Sequence, residues 1–265
     1  MASEAVNRGP TPEPELAMDE WIASIDRESR ALARAMARAG LDAPVPTCPE
    51  WRVRDLLHHL GGVHRWAATH VSEARTSAMG KDEEEAAMAS YPGDASLPEW
   101  FEEGHRTLCQ VLVDAPSDLR CWTFLPAPSP LAFWARRQAH ETEIHRADAE
   151  FAAGSDGVSF PAGVAGDGIE EILFGFGSRP RRLRLDAEYR LALIPLDRSE
   201  GWLVHLGPSG IRAQRQAGAA DCRVRGTASD LYLLLWNRLP GTALEIEGNR
   251  AALESWQRTM RVTWT

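Results

Sequence analysis

Cysteine is scarce in this chain: four residues in 265, Cys48, Cys109, Cys121 and Cys222, with no CxxC pair and no even spacing. That excludes a disulfide framework and points to a reducing compartment, the cytoplasm. Lysine is scarcer still, since Lys81 is the only one among 29 basic residues. The arginine bias fits a GC-rich genome and carries little functional information. Positive charge is in deficit: 38 acidic against 29 basic side chains leave −9, which argues against a nucleic-acid-binding surface. No apolar run approaches the roughly 20 residues that a bilayer span needs. The N-terminus lacks the basic-then-apolar pattern of a secretory signal. Nor does any Ser or Cys lie in a His/Asp arrangement suited to a protein-borne nucleophile. An enzyme built on this chain would take its nucleophile from a cofactor or from metal-bound water.

What is present is helical periodicity followed by strand periodicity. Residues 1–16 are polar, contain three prolines and read as a disordered tail. From Met18 to Ala39, Trp21, Ile25, Leu32 and Met36 recur at helical spacing, and Gly40 ends the run. Thr47-Cys-Pro-Glu50 reads as a capping box for a helix over 52–78, on which Leu56, His59, Gly62, Val63 and Trp66 share a face. Gly61 and Gly62 each cost that helix roughly 1 kcal/mol relative to alanine. They also let a neighbour approach one turn above His59. Residues 79–96 carry the charge run KDEEE and a Tyr-Pro-Gly-Asp turn, and read as an exposed loop or lid. Helices over 97–115 and 131–153 complete a four-helix bundle spanning 17–154.

The glycine-rich stretch 155–168 reads as an interdomain linker. After it come a short helix at 169–175 and period-two segments at 182–187, 189–196, 201–207, 211–216 and 222–225. A Thr227-capped helix, a strand at 243–247 and an Asn249-capped helix reaching about Trp264 follow. The predicted fold is thus a mainly α bundle followed by an α+β domain over 169–265 with an antiparallel sheet.

The chemistry concentrates in WARRQAHETEIHRADAE, residues 134–150, an uninterrupted Ala/Arg-rich helix. Glu141 and His145 are four apart and leave one face, as two ligands of a divalent cation would. His140 and His145 form HExxxH rather than HExxH; five residues turn a helix by about 500°, so these two imidazoles diverge by about 140° and cannot share a metal. The protease signature therefore fails, and His59 is the candidate third ligand. One carboxylate with two imidazoles leaves a dication net positive and one position open, suited to a thiolate or hydroxide. The plain alternative is that these are surface or satisfied core groups on amphipathic helices. Asp55, one turn before His59, and Asp148, three residues after His145, could orient the imidazoles; Asp55 could equally serve the helix N-terminus. Cys48 near a helix start is either a thiol with a lowered pKa or a buried structural one. Arg238 either anchors an anionic substrate or complements a helix end.

At these residues the sequence resembles a known family. CPEWRVRDLLHHLGGVHRW, followed about 75 residues later by WARRQAHETEIHRADAE, is similar to the mycothiol-dependent maleylpyruvate isomerases, whose N-terminal domain is a DinB-like four-helix bundle. GTASDLYLLLWNRL and ALESWQRTMRVTW resemble that family's second domain, so the likeness covers nearly the whole chain beyond the tail. The resemblance implies a divalent metal, usually zinc, held at the positions of His59, Glu141 and His145. It implies a low-molecular-weight thiol, mycothiol or a similar one, bound there as thiolate and adding to an electrophilic substrate. Arg238 is a weak match to the family's catalytic arginine. Family members often carry Ser or Thr just after the first motif's tryptophan, where this chain has Arg52; the Thr47 box is expected to replace that cap.

The reading that follows is a cytoplasmic, metal-dependent isomerase or thiol S-transferase acting on a small electrophile, monomeric or homodimeric, without nucleic-acid or membrane partners. Its rivals are a hydrolase using metal-activated water and a non-catalytic ligand-binding or regulatory module on the same scaffold.

Overall fold

The computed structural model describes residues 16–179, 185 and 187–260. Of the tail expected over 1–16, all but Leu16 lies outside the described residues. So do most of the strand expected over 182–187 and the end of the helix expected to reach Trp264.

Helix α1 (Met18–Ala39) has the predicted bounds and buries Trp21, Ile25, Leu32 and Met36. Helix α2 (Val53–Ser72) ends before 78, because Ala74 takes φ +48° and the Arg75 N–H turns back to His70 O. Its cap is not Thr47. Asp55 Oδ2 accepts the Arg52 N–H at 2.8 Å, so the first turn caps itself and Thr47 is free for another partner. The KDEEE run is not a loop: Lys81–Ala89 form α3, with Asp82, Glu83 and Glu84 in the first turn where the helix dipole favours negative charge. Helix α4 (Leu97–Asp114) packs on α2, and its Trp100 occupies the space above Gly61, where a Cβ would lie 2.2 Å from the indole.

Helix α5 (Pro130–Ala152) runs along α1 and α2. Ser129 caps it by accepting the Ala132 N–H, and Pro130 sits in the first turn, where a missing N–H costs nothing. Most of its length is buried on all sides, including Arg137, His140, Glu141, Glu143, His145 and Asp148. A polar helix surrounded by protein must find a partner for every charged group it carries. That requirement organises the site.

The stretch read as a linker is helical over its second part. Ala162–Glu170 form α6, which runs directly into a π-helical turn, Glu171–Phe176. Gly168 serves close packing rather than flexibility there, since a Cβ would lie 2.4 Å from the Tyr232 ring. The strands β1 (Tyr189–Pro195), β2 (Trp202–Gly207), β3 (Gly210–Arg215), β4 (Cys222–Gly226) and β5 (Glu245–Gly248) form one sheet in the order β3-β2-β1-β4-β5. It is mixed rather than wholly antiparallel: after the β1-β2-β3 meander the chain crosses back, and β4 runs parallel to β1. Helices α7 (Ala228–Leu235) and α8 (Ala251–Thr259) pack against it. Thr227 caps α7 as predicted, and Asn249 Oδ1 accepts the Ala251 N–H at the start of α8. One apolar core runs from Trp21, Trp66 and Trp134 in the bundle to Leu191, Leu193 and Trp202 in the sheet.

Candidate metal centre on the buried helix

His59 on α2 and His145 on α5 point at the same carboxylate oxygen. Glu141 Oε1 lies 3.1 Å from His59 Nε2 and 3.2 Å from His145 Nε2. One donor atom from each of the three residues falls within 4.8 Å of the others. Two lone-pair donors and an anionic oxygen converging from two helices are the donor set of a divalent cation, and three protein ligands leave coordination positions open. The residue types and their convergence fit the group.

Each ligand is held from behind. His145 Nδ1 donates to Asp148 Oδ2 at 2.9 Å, which fixes the tautomer and turns Nε2 toward Glu141. Asp148 is fully buried and clamped by Arg238, whose Nε and Nη2 donate to its two oxygens at 2.8 and 3.0 Å. Thr47 supplies a further donor to Asp148 Oδ1, which is where the sequence's supposed cap is employed. Glu141 Oε2 accepts from Arg137 Nη2 at 2.7 Å, and Arg137 Nη1 donates to Glu171 at the start of the π-helical turn. The indole of Trp51 packs beside both imidazoles, with ring centroids 5.0 Å from His59 and 6.0 Å from His145.

The electrostatics follow from these contacts. Burial works to raise the Glu141 pKa, but Arg137 and the two imidazoles hold it well below the usual carboxylate range. The imidazoles part company although they share one oxygen. Burial lowers His59 despite its bond to Glu141, whereas His145 rises against the same burial because Asp148 adds a second carboxylate. A cation would take the neutral form of each ring. Burial first, and then Asp148, push the Cys48 thiol up to about 11, with Arg238 opposing. Of the two readings of Cys48, the raised thiol pKa favours the structural one: burial and a neighbouring carboxylate work against an activated thiol. Asp55 does not orient His59, being engaged with the Arg52 N–H.

The site opens on a cavity of about 450 Å³ bordered by Glu50, Trp51, Asp55, His58, His59, Met88 and Tyr91. His58 turns away from Glu141 and stacks on Tyr91 with centroids 3.6 Å apart. Met88 of α3 and Tyr91 beyond it belong to the stretch expected to be a loop or lid, and they form a wall.

The sequence signalled His59, Glu141, His145, Asp148 and Arg238. It missed Arg137, although the four-residue step to Glu141 was open to the same argument. It gave no sign of Glu171, whose approach depends on the π-helical turn. Trp51 was visible only as part of a motif.

A bundle bearing a buried His/Glu/His cluster, continued by a mixed sheet with helices packed on it, defines a helical scaffold with a candidate metal site rather than one reaction. Residues 22–150 match the model of the mycothiol maleylpyruvate isomerase N-terminal domain, and residues 131–255 match that of the MDMPI C-terminal domain. The chain belongs to the mycothiol-dependent maleylpyruvate isomerase family. Two solved structures resemble it in fold: a crystal structure of the mycothiol-dependent maleylpyruvate isomerase, and one of a histidine-to-alanine mutant of it. Each aligns with a TM-score of 0.60 at 13% identity over 88% of this chain and 94% of the other. No curated protein sequence matches the chain. Among the described residues no helix is long and apolar enough to cross a membrane.

Proposed function

We propose that this chain is a metal-dependent isomerase that uses a low-molecular-weight thiol, mycothiol or a close analogue, to act on a small electrophile. The observation that carries the reading is the shared oxygen: two imidazoles from different helices aim at Glu141 Oε1 beside an open cavity. Family membership supports the thiol, and the donor set supports the metal, with zinc the natural occupant.

His59, Glu141 and His145 would hold the cation. When bound, it supplies the positive charge that favours thiolate over thiol at neutral pH. A thiol supplies a nucleophile that adds reversibly to a conjugated carbonyl compound and, on leaving, returns the carbon framework with its double bond rotated. The protein's own part is positional. Asp148 keeps the proton on His145 Nδ1 and so presents Nε2 to the centre. Arg238 keeps Asp148 ionised and in place, its bidentate grip turned inward on that carboxylate. Trp51 shields the two rings, so ligands reach them from the cavity.

The test is elemental analysis of protein purified without chelator, followed by assay with and without thiol. His59→Ala and His145→Ala are expected to lose bound zinc and to lower activity by at least about 100-fold together. Full metal occupancy in both variants would refute the site. Activity that does not depend on thiol favours the hydrolase reading, and a thiol adduct on the product favours S-transfer.

A further inference from the structure

The buried centre carries an uneven set of charges. Glu141, Asp148 and Glu171 are carboxylates with side chains at most 6% exposed, and against them stand two guanidiniums, Arg137 and Arg238. Asp148 and Arg238 form one bidentate pair and neutralise each other. Arg137 is shared between Glu141 and Glu171, so this second group keeps one negative charge. Its surroundings are apolar: the rings of Phe176 and Trp236 lie 5.3 and 5.5 Å from the Arg137 guanidinium carbon. Charge in such a place must be compensated nearby, because water cannot reach it.

We infer that Glu171, acting through Arg137, is a positioning residue that sets the charge of the centre so that a dication and a single monoanionic ligand together make it neutral. The inference rests on the metal reading above. Glu141 alone, paired with Arg137, would leave a bound dication with two uncompensated positive charges and favour a dianion or two anions. With Glu171 present, one charge is already met and one monoanion completes the set. Arg137 has a second effect. By donating to Glu141 Oε2 it leaves Oε1 alone for coordination, which keeps a position open for that ligand. Glu171 enters from the π-helical turn that follows α6, so an element beyond the bundle adjusts a centre whose ligands all lie on α2 and α5.

A charge role and a structural role part in their signs. Removing one negative charge weakens the hold on a cation and strengthens the hold on an anion, whereas loosened packing weakens both. In Glu171→Gln, zinc affinity measured by competition with a chromophoric chelator should fall about tenfold, while azide affinity of the cobalt-loaded protein, read from its visible spectrum, should rise about tenfold. No change in either, or a fall in both, overturns the inference. Glu171→Asp keeps the charge and should leave both affinities within about threefold of the parent. Loss of zinc there places the effect in geometry and also overturns the inference, even if Glu171→Gln does not fold. Failure of the unmodified protein to take up zinc or cobalt at all would instead sink the functional reading.

Discussion

Helix α5 carries two His-carboxylate clusters on different faces, built from the same residue types, and only one of them converges on a single oxygen beside a cavity. On one face, Glu141 and His145 meet His59 beside a cavity, with imidazole donors that converge. On the other, His140 donates from Nδ1 to Glu143 at 2.9 Å and from Nε2 to Asp167 at 2.8 Å, and all three side chains are fully buried. Burial favours a neutral ring there, but the two carboxylates push His140 up to about 9. Arg136 and Trp21 also donate to Asp167 Oδ2, while its Oδ1 is buried without a hydrogen bond, and Ser24 donates to Glu143. Two carboxylates face one imidazolium and one guanidinium, so the second cluster is neutral as it stands. Composition does not separate a ligand set from a structural knot. What separates them is whether the imidazoles diverge to partners of their own or converge on one atom, and whether the charges already cancel.

The sharpest way to break this contrast is His140→Ala. It should cost about 3–5 kcal/mol of stability by leaving Glu143 buried without a cationic partner and the cluster one positive charge short, while zinc content stays at the parent level. Thermal or denaturant unfolding and elemental analysis check the pair of outcomes, and loss of zinc without loss of stability would show the two faces to be one site. Asp148→Asn comes next. Because Asp148 orients a ligand without touching the centre, zinc affinity should fall by about 10–100-fold while the metal still binds, as chelator competition would show.

The smallest effect is a titration. Burial would raise the Asp167 pKa, but His140, Arg136 and Trp21 lower it to about 2. A carboxylate depressed by folding contributes stability above its unfolded pKa and loses it as pH falls through the folded one. Asp167 should therefore account for about 2 kcal/mol that disappears between about pH 4 and pH 2. Stability measured across that window should show the loss in the parent and not in Asp167→Asn, and equal slopes would mean that the second cluster is not held by charge.

The architecture was largely legible in the chain. Helices α1, α4 and α5 fall within a residue or so of the predicted bounds because their apolar periodicity and their stops, such as Gly40 and Gly154, are local signals. Local reasoning failed where a residue's partner lay elsewhere. Thr47 looked like a cap and serves Asp148, 101 residues away. Gly168, read as part of a linker, accommodates Tyr232. A charge run that looked like a loop makes a helix, and strands expected in an antiparallel sheet acquire a parallel pair.

By itself, the sequence determined which side chains could act together on one helix, because the 3.6-residue turn places Glu141 beside His145 and sends His140 elsewhere whatever surrounds them. Only the tertiary structure decided that His59 meets the first pair, that Asp167 and Tyr232 close over the second, and that Arg137 bridges Glu141 to Glu171. Those contacts span 27 to 92 residues and arise from how buried charges find one another as helices pack. Helical spacing is a property of the chain, whereas convergence and charge balance are properties of the fold.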